Sequence, residues 1–205
     1  MYVLRYEQDH ANARATSKCK VSRTALAAVL LSLALLPAGD ATYMIAKARL
    51  AQVLINKSWH TTGNQPWPWA DTVPVARLVI PGINLDNYVL DGATGATLAF
   101  GPGMVSGSAR PGGRGVTMIA AHRDTHFEPL QHIAADSLVR IQSRDRVWHQ
   151  YRVTTTRVAD SRVDSITPSI GESRMVLVTC YPFDALVPGG PLRFVVEAEL
   201  VGKPV

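Results

Sequence analysis

Apolar residues recur along this chain in short runs broken by glycine and proline. From Val75 onward the runs are Val75–Ile80, Ile83–Leu90, Val116–Ala121, Leu138–Gln142, Val147–Val158, Met175–Cys180 and Leu192–Val201. Runs of this length, rich in β-branched residues and separated by turn formers, predict strands. So many strands with so few helical windows predict a mostly β fold, a barrel or a sandwich. Within this region Ala93–Phe100 reads as one or two helical turns, while Gly101-Pro102-Gly103 and Pro111-Gly112-Gly113 read as loops.

The pattern before residue 75 is different. Residues 1–23 are polar and basic without periodicity, and read as a cytoplasmic arm. Residues 24–38 form an apolar run preceded by Arg14, Lys18, Lys20 and Arg23. Such a run is a membrane anchor or an export signal. A full span needs roughly 20 residues, and extension to Ile45 reaches that length at the cost of including Asp40. The positive charge before it puts the N-terminus in the cytoplasm and everything after residue 45 outside. Cleavage after Ala38 or Ala41 is the alternative. Residues 24–45 are therefore expected to be a transmembrane anchor or signal-anchor, and 73–205 the folded domain.

Residues 46–72 join the two. Over 43–59, Ile45, Leu50, Val53, Leu54 and Trp59 are spaced as the apolar stripe of a helix, with Lys47, Arg49, Gln52 and Lys57 between them. This helix packs on the domain, or lies on lipid with Trp59 at the interface. Gln65-Pro66-Trp67-Pro68-Trp69 is a stiff, extended linker whose tryptophans are expected to pack on the domain surface.

Composition changes little. Of 205 residues, 47% are hydrophobic and 18% charged, enough for a core and too apolar for bulk disorder. The formal net charge of +5 owes much to the first 25 residues, and no aromatic-interleaved basic stripe supports nucleic-acid binding.

Cysteine usage carries more. Cys19 precedes the apolar run and Cys180 follows it. A membrane between them forbids a disulfide, so Cys180 is an unpaired thiol in an exported domain, where oxidation is a hazard. Its bland explanation is a buried small hydrophobe. Its position argues for more: the run Met175–Val178 is a buried strand that ends at Thr179-Cys180, and Pro182 prevents regular continuation. A second strand, Val116–Ala121, ends at His122-Arg123-Asp124, and the strand after Pro188-Gly189-Gly190-Pro191 opens with Leu192-Arg193. A thiol nucleophile needs a base and a proton donor. A fixed guanidinium can steady an oxyanion. Cys180, His122 and Arg193 at strand ends thus permit an acyl-transfer site, with Cys180 and Arg193 side by side at one end of a hairpin. Spacing alone does not bring all three together. A rival set, His122, Asp124, His126, Glu128 and His132, is dense enough to suggest metal ligands but lacks zinc-site spacing. His60 and His149 read as ordinary surface residues.

The sequence Leu177-Val178-Thr179-Cys180, followed by an arginine on the next strand and preceded by His122, resembles the sortases, cysteine transpeptidases that cut a C-terminal sorting signal and join the new carboxyl end to an amine. The fuller pattern is similar to the subgroup of marine and other proteobacteria, through Ala46–Gln52, Pro66–Thr72, Leu98–Gly103 and His122–Phe127. The resemblance implies a closed eight-stranded β-barrel of mixed sheet with short helices. It implies Cys180 as nucleophile, His122 as general acid–base and Arg193 as oxyanion or substrate clamp, converging at one mouth of the barrel. Thr179, Ala121, Arg123 and Tyr181 are then expected to contact substrate. The likeness further implies a protein substrate of Leu-Pro-x-Thr-Gly type and an amine acceptor; with the N-terminal pattern, the expectation is a monomer held in the inner membrane by a single-pass anchor in contact with its lipid, with a periplasmic catalytic domain and neither metal nor cofactor. Two positions depart from the family pattern. Val176 stands where threonine is frequent and is expected to point into the barrel, and Ala121 replaces a glycine before the histidine, where its methyl would narrow the cleft. A cysteine peptidase releasing product to water and an inactive binding domain are the competing readings. A peptidoglycan-cross-linking transpeptidase fits less well, since its arginine follows the cysteine by two residues.

Overall fold

The computed structural model describes residues 43, 46–47, 49–61, 63–165, 171–187 and 189–202. The basic arm and the apolar run of residues 24–38 lie outside them, as does Ile45. Eight strands close into one barrel: β1 (Pro74–Ile80), β2 (Leu85–Asp91), β3 (Gly103–Met104), β4 (Gly115–Ala120), β5 (Leu138–Ser143), β6 (Trp148–Asp160), β7 (Ser173–Cys180) and β8 (Leu192–Leu200). Their order around the wall is β1-β2-β3-β4-β7-β8-β6-β5. The β2/β3 and β4/β7 pairs are parallel and the rest antiparallel, so the sheet is mixed.

Seven strands fall on the seven apolar runs. The eighth, β3, is only two residues long and lies in what reads as a Gly-Pro-Gly loop. Gly103 is required there because a Cβ would lie 2.2 Å from the Gly92 carbonyl oxygen. The expected turn of helix is α2 (Gly95–Leu98), capped by Thr94, whose hydroxyl accepts from the Thr97 N–H.

Two apolar layers organise the wall. Strands β1, β2 and β4 to β8 send residues inward to one cluster that includes Leu78, Val89, Ile119, Ile141, Tyr151, Leu177 and Val196. A second cluster covers the outer side of β4, β7, β8 and β6, with Val116, Val176, Val195 and Ala159 buried and Met118 and Val178 packed against them. The runs of β4 and β7 are continuously apolar because both their faces are covered. This corrects the expectation for Val176, which faces the outer cluster and not the barrel interior.

Helix α1 (residues 49–61, with Tyr43, Ala46 and Lys47 also helical) packs on the outside of β2. Ala51, Ile55 and Trp59 meet Tyr88 and Leu90, and Trp67 and Phe100 seal the edge. Burial of Ile55 and Trp59 contributes on the order of 2–3 kcal/mol each. Gln52 locks the register: its Oε1 accepts from the Tyr88 N–H at 3.0 Å, and its Nε2 donates to the Phe100 carbonyl at 2.9 Å. The stripe expected from spacing is therefore rotated. Leu50 and Val53 are 60% and 64% exposed, whereas Trp59 is 2% exposed and lies beneath the Arg146 guanidinium, 4.5 Å from its ring. Trp59 thus belongs to the domain and not to a lipid interface. Trp67 stacks edge-on against Phe100 at 4.9 Å as expected, but Trp69 is 79% exposed. Among the described residues no helix is long and apolar enough to cross a membrane.

Candidate active site

Cys180 is the last residue of β7 and sits directly opposite Arg193 in the antiparallel β7/β8 ladder. On the other side of β7 runs β4, parallel, with Ala120 opposite Val178. That ladder continues: the Ala121 N–H donates to the Val178 carbonyl at 3.2 Å, and the Thr179 hydroxyl donates to the Ala121 carbonyl at 2.8 Å. His122, the next residue, is thereby carried to the level of Cys180. Three adjacent strands deliver the thiol, the imidazole and the guanidinium to one edge.

Alternation decides the face. Ile119 and Ala121 of β4, Met175 and Leu177 of β7, and Val196 and Ala198 of β8 all belong to the interior cluster. With a side-chain period of two, His122, Cys180 and Arg193 fall on the opposite face. The three residues therefore share the outer wall of the barrel, next to the cluster of Val176, Val178 and Val195. The site thus lies at the end of the barrel where β4 and β7 terminate and β8 begins, on its outer face. A barrel of eight strands is filled by its own side chains, so the candidate site lies on the wall and not in the lumen. Cys180 and Arg193 are half-buried and His122 is exposed.

The alternation also reverses the reading of the neighbours. Ala121 is 5% exposed and its methyl belongs to the core, so it does not narrow the cleft. Thr179 is 2% exposed and spends its hydroxyl on Ala121. Both lie beneath the candidate site and hold β4 against β7. Arg123 is 6% exposed: its Nη1 donates to the Pro182 carbonyl and its Nη2 to that of Ala185, each at 2.7 Å, while Nε bonds Asp124 at 3.0 Å. Every guanidinium nitrogen is engaged within the protein. Arg123 ties the segment after His122 to the segment after Cys180. Tyr181, across a cis bond to Pro182, is half-buried, with its ring 6.5 Å from Phe194 and 6.2 Å from Phe183. Phe183 and Phe194, with rings 5.3 Å apart, also pack against the interior cluster.

Arg193 rests on its own loop, with Nη1 donating to the carbonyls of Gly190 at 2.6 Å and Leu192 at 2.8 Å. Nε and Nη2 have no hydrogen-bond partner among the described residues. Asp160 lies near: bonds from Arg162 and, secondarily, the charge of Arg193 hold its carboxyl down to about 2. Buried beside His122 is His126, with Nε2 unpartnered. Desolvation first, and then the charge of His122, push its pKa down to about 4. Among the described residues no three His, Cys, Asp or Glu side chains are grouped so as to hold a metal ion.

His149, read from sequence as a surface residue, is 7% exposed. Its Nε2 lies 3.2 Å from the Ser143 hydroxyl, which bonds Asp145 at 2.5 Å. The alternation of β6 carries the signal, because His149 shares a face with buried Tyr151 and Val153 ahead of the bulge.

Three comparisons bear on this site. The family model described as the sortase domain matches residues 78–201, from β1 through β8. Sortase D of Bacillus subtilis is 27% identical over 125 residues, an alignment covering 60% of this chain and 62% of the relative. The chain thus spans less than two thirds of that relative's length. Among solved structures, a sortase D5 transpeptidase of Clostridium perfringens superposes with a TM-score of 0.60 at 19% identity, over 77% of this chain and 99% of that one. The catalytic domain of B. anthracis SrtD gives 0.52 at 30% identity, over 63% and 88%.

Proposed function

The chain belongs to the sortase family, and on that premise we propose that it is a membrane-anchored cysteine transpeptidase of the outer-wall site formed by Cys180, His122 and Arg193. The observation that carries the proposal is the pairing of Cys180 with Arg193 across one ladder while His122 ends the strand on the other side. A thiol, a group able to move a proton and a fixed cation on one rigid face are what acyl transfer through a thioester needs.

The Cys180 sulfur attacks the scissile carbonyl of a Leu-Pro-x-Thr-Gly-like signal near the C-terminus of a protein substrate. The oxyanion that develops faces Arg193, whose Nε and Nη2 have no partner among the described residues while Nη1 stays on its loop. His122 gives a proton to the departing amine, leaving a thioacyl enzyme. An incoming amine attacks the thioester, and His122 takes its proton as the thiolate leaves. The exposed His122 is accessible to both amines. Arg123 keeps the two loops in register through its bonds to Pro182 and Ala185.

Residues 24–45 anchor a monomer in the cytoplasmic membrane, with the barrel on the periplasmic side. This localisation, and assignment to the proteobacterial branch, are supported by the basic-then-apolar N-terminal pattern and by the blocks named above.

The test uses the full chain in detergent micelles, with signal peptides of this type and an added amine. Intact mass is expected to show an acyl adduct that Cys180→Ala abolishes, and joined product is expected to exceed hydrolysed product. Arg193→Lys is expected to slow single-turnover acylation by roughly 10²–10³-fold, as for loss of an oxyanion donor. No adduct with any such peptide, while Cys180 still reacts with small alkylating agents, identifies a binding domain instead.

A further inference from the structure

Helix α1 is apolar on two sides, and the barrel covers only one of them. At 100° per residue, Ala51, Ile55 and Trp59 share the face buried against Tyr88 and Leu90. Tyr43, Ala46, Leu50 and Val53 share a face turned well away from it. All four are exposed, Tyr43 to 67%, Leu50 to 60% and Val53 to 64%. A helix apolar on both faces is ordinarily covered on both.

Charge says by what. From residue 41 to residue 70 the chain contains no aspartate or glutamate, yet it carries Lys47, Arg49 and Lys57. All three cations are exposed. Lys57 falls within the outer apolar face and Lys47 beside it, Lys47 with its ammonium also 5.2 Å from the Phe100 ring. The helix itself flanks this strip only with cations, and the one carboxylate beside Val53 among the described residues, Asp86 of β2, is paired with Arg77 at 2.6 Å. Such a strip complements an anionic bilayer surface, where lysine stems run through the apolar layer and their heads meet phosphates. The chain outside the described residues points to the same occupant: the apolar run of residues 24–38 ends only a few residues before Tyr43.

We propose that the outer face of α1, formed by Tyr43, Ala46, Leu50 and Val53 with Lys47, Arg49 and Lys57, rests in the headgroup layer of an anionic membrane. Its inner face, meanwhile, holds the barrel. The helix is then a two-sided bracket. Because Ala51, Ile55 and Trp59 fix it rigidly to β2, contact of its outer face with lipid sets how the catalytic wall is presented to the membrane. This rests on the anchoring reading above, and the experiment separates the two.

The full chain carrying Cys19→Ser, Cys180→Ala and Val53→Cys is labelled at residue 53 with an environment-sensitive fluorophore. It is reconstituted into vesicles of phosphatidylcholine with phosphatidylglycerol. The expected result is that the chain floats with vesicles after alkaline carbonate, that the label emits to the blue of its value in water, and that shallow nitroxide lipids quench it. Lys47→Glu with Lys57→Glu is expected to reduce that quenching by roughly half or more, as is replacement of the anionic lipid by phosphatidylcholine. A chain that floats while its label keeps the emission of water overturns the inference and leaves anchoring intact. Failure to float overturns the anchor, and the inference with it. A blue shift that follows protein concentration in vesicles of phosphatidylcholine alone shows a second copy covering the face, and also overturns it.

Discussion

At the scale of single residues, the burial of His126 beside His122 predicts a pH dependence of stability. Burial holds the folded-state pKa of His126 at about 4 against an ordinary 6.5. Between those two values the unfolded chain binds a proton that the folded chain refuses. Stability is therefore full above about pH 6.5 and declines as pH falls towards 4, by about 3 kcal/mol in all. Urea unfolding as a function of pH should show this slope, and His126→Leu should remove it from that window. A slope unchanged in the variant assigns the loss to other groups. Arg123 belongs to the same scale. A guanidinium beside a histidine reads as a substrate contact, but it is buried under two carbonyls because the segments after β4 and β7 have no backbone ladder of their own to join them.

At the scale of elements, the β3–β4 loop depends on one glycine. Gly112 has φ +76°, and a Cβ there would lie 2.1 Å from the ring of His149. Its N–H donates to the Tyr151 hydroxyl at 2.7 Å, which fixes the loop on β6. Neither the left-handed backbone nor the ring can yield cheaply. Gly112→Ala is expected to cost about 2–4 kcal/mol, measured as a lowered urea midpoint at unchanged slope. A change below a few tenths would mean that the loop and His149 shift freely. Element β7 shows the limit of pattern reading. Met175 to Val178 are apolar without interruption because the strand is covered on both sides, so no alternation survives to say which residues face inward. The outward face of Val176 is hidden for that reason, whereas the inward methyl of Ala121, just past β4, shows only in the interior cluster.

At the scale of the whole molecule, α1 is part of the domain and not a tether to it. Trp59 is its largest contact, buried against Tyr88 with ring centroids 6.0 Å apart and covered by Arg146. Trp59→Ala is expected to cost about 3–5 kcal/mol. Hydrogen exchange should rise throughout residues 49–61 before it rises in β7, where the candidate nucleophile sits. Simultaneous loss of protection in both would mean that helix and barrel unfold as one unit.

The sequence by itself determined the strands, since seven apolar runs became seven strands of the barrel. It also singled out Cys180, His122 and Arg193, because reactive side chains placed where buried strands end stand out against the runs before them. It left open which side of the barrel they occupy, which face of α1 is covered, and the existence of β3. Facing is decided by neighbours. A two-residue strand such as β3 exists only through pairing with β2 and β4, a helix apolar on both sides takes its orientation from β2, and a continuously apolar strand shows its inner face only once the barrel closes around it.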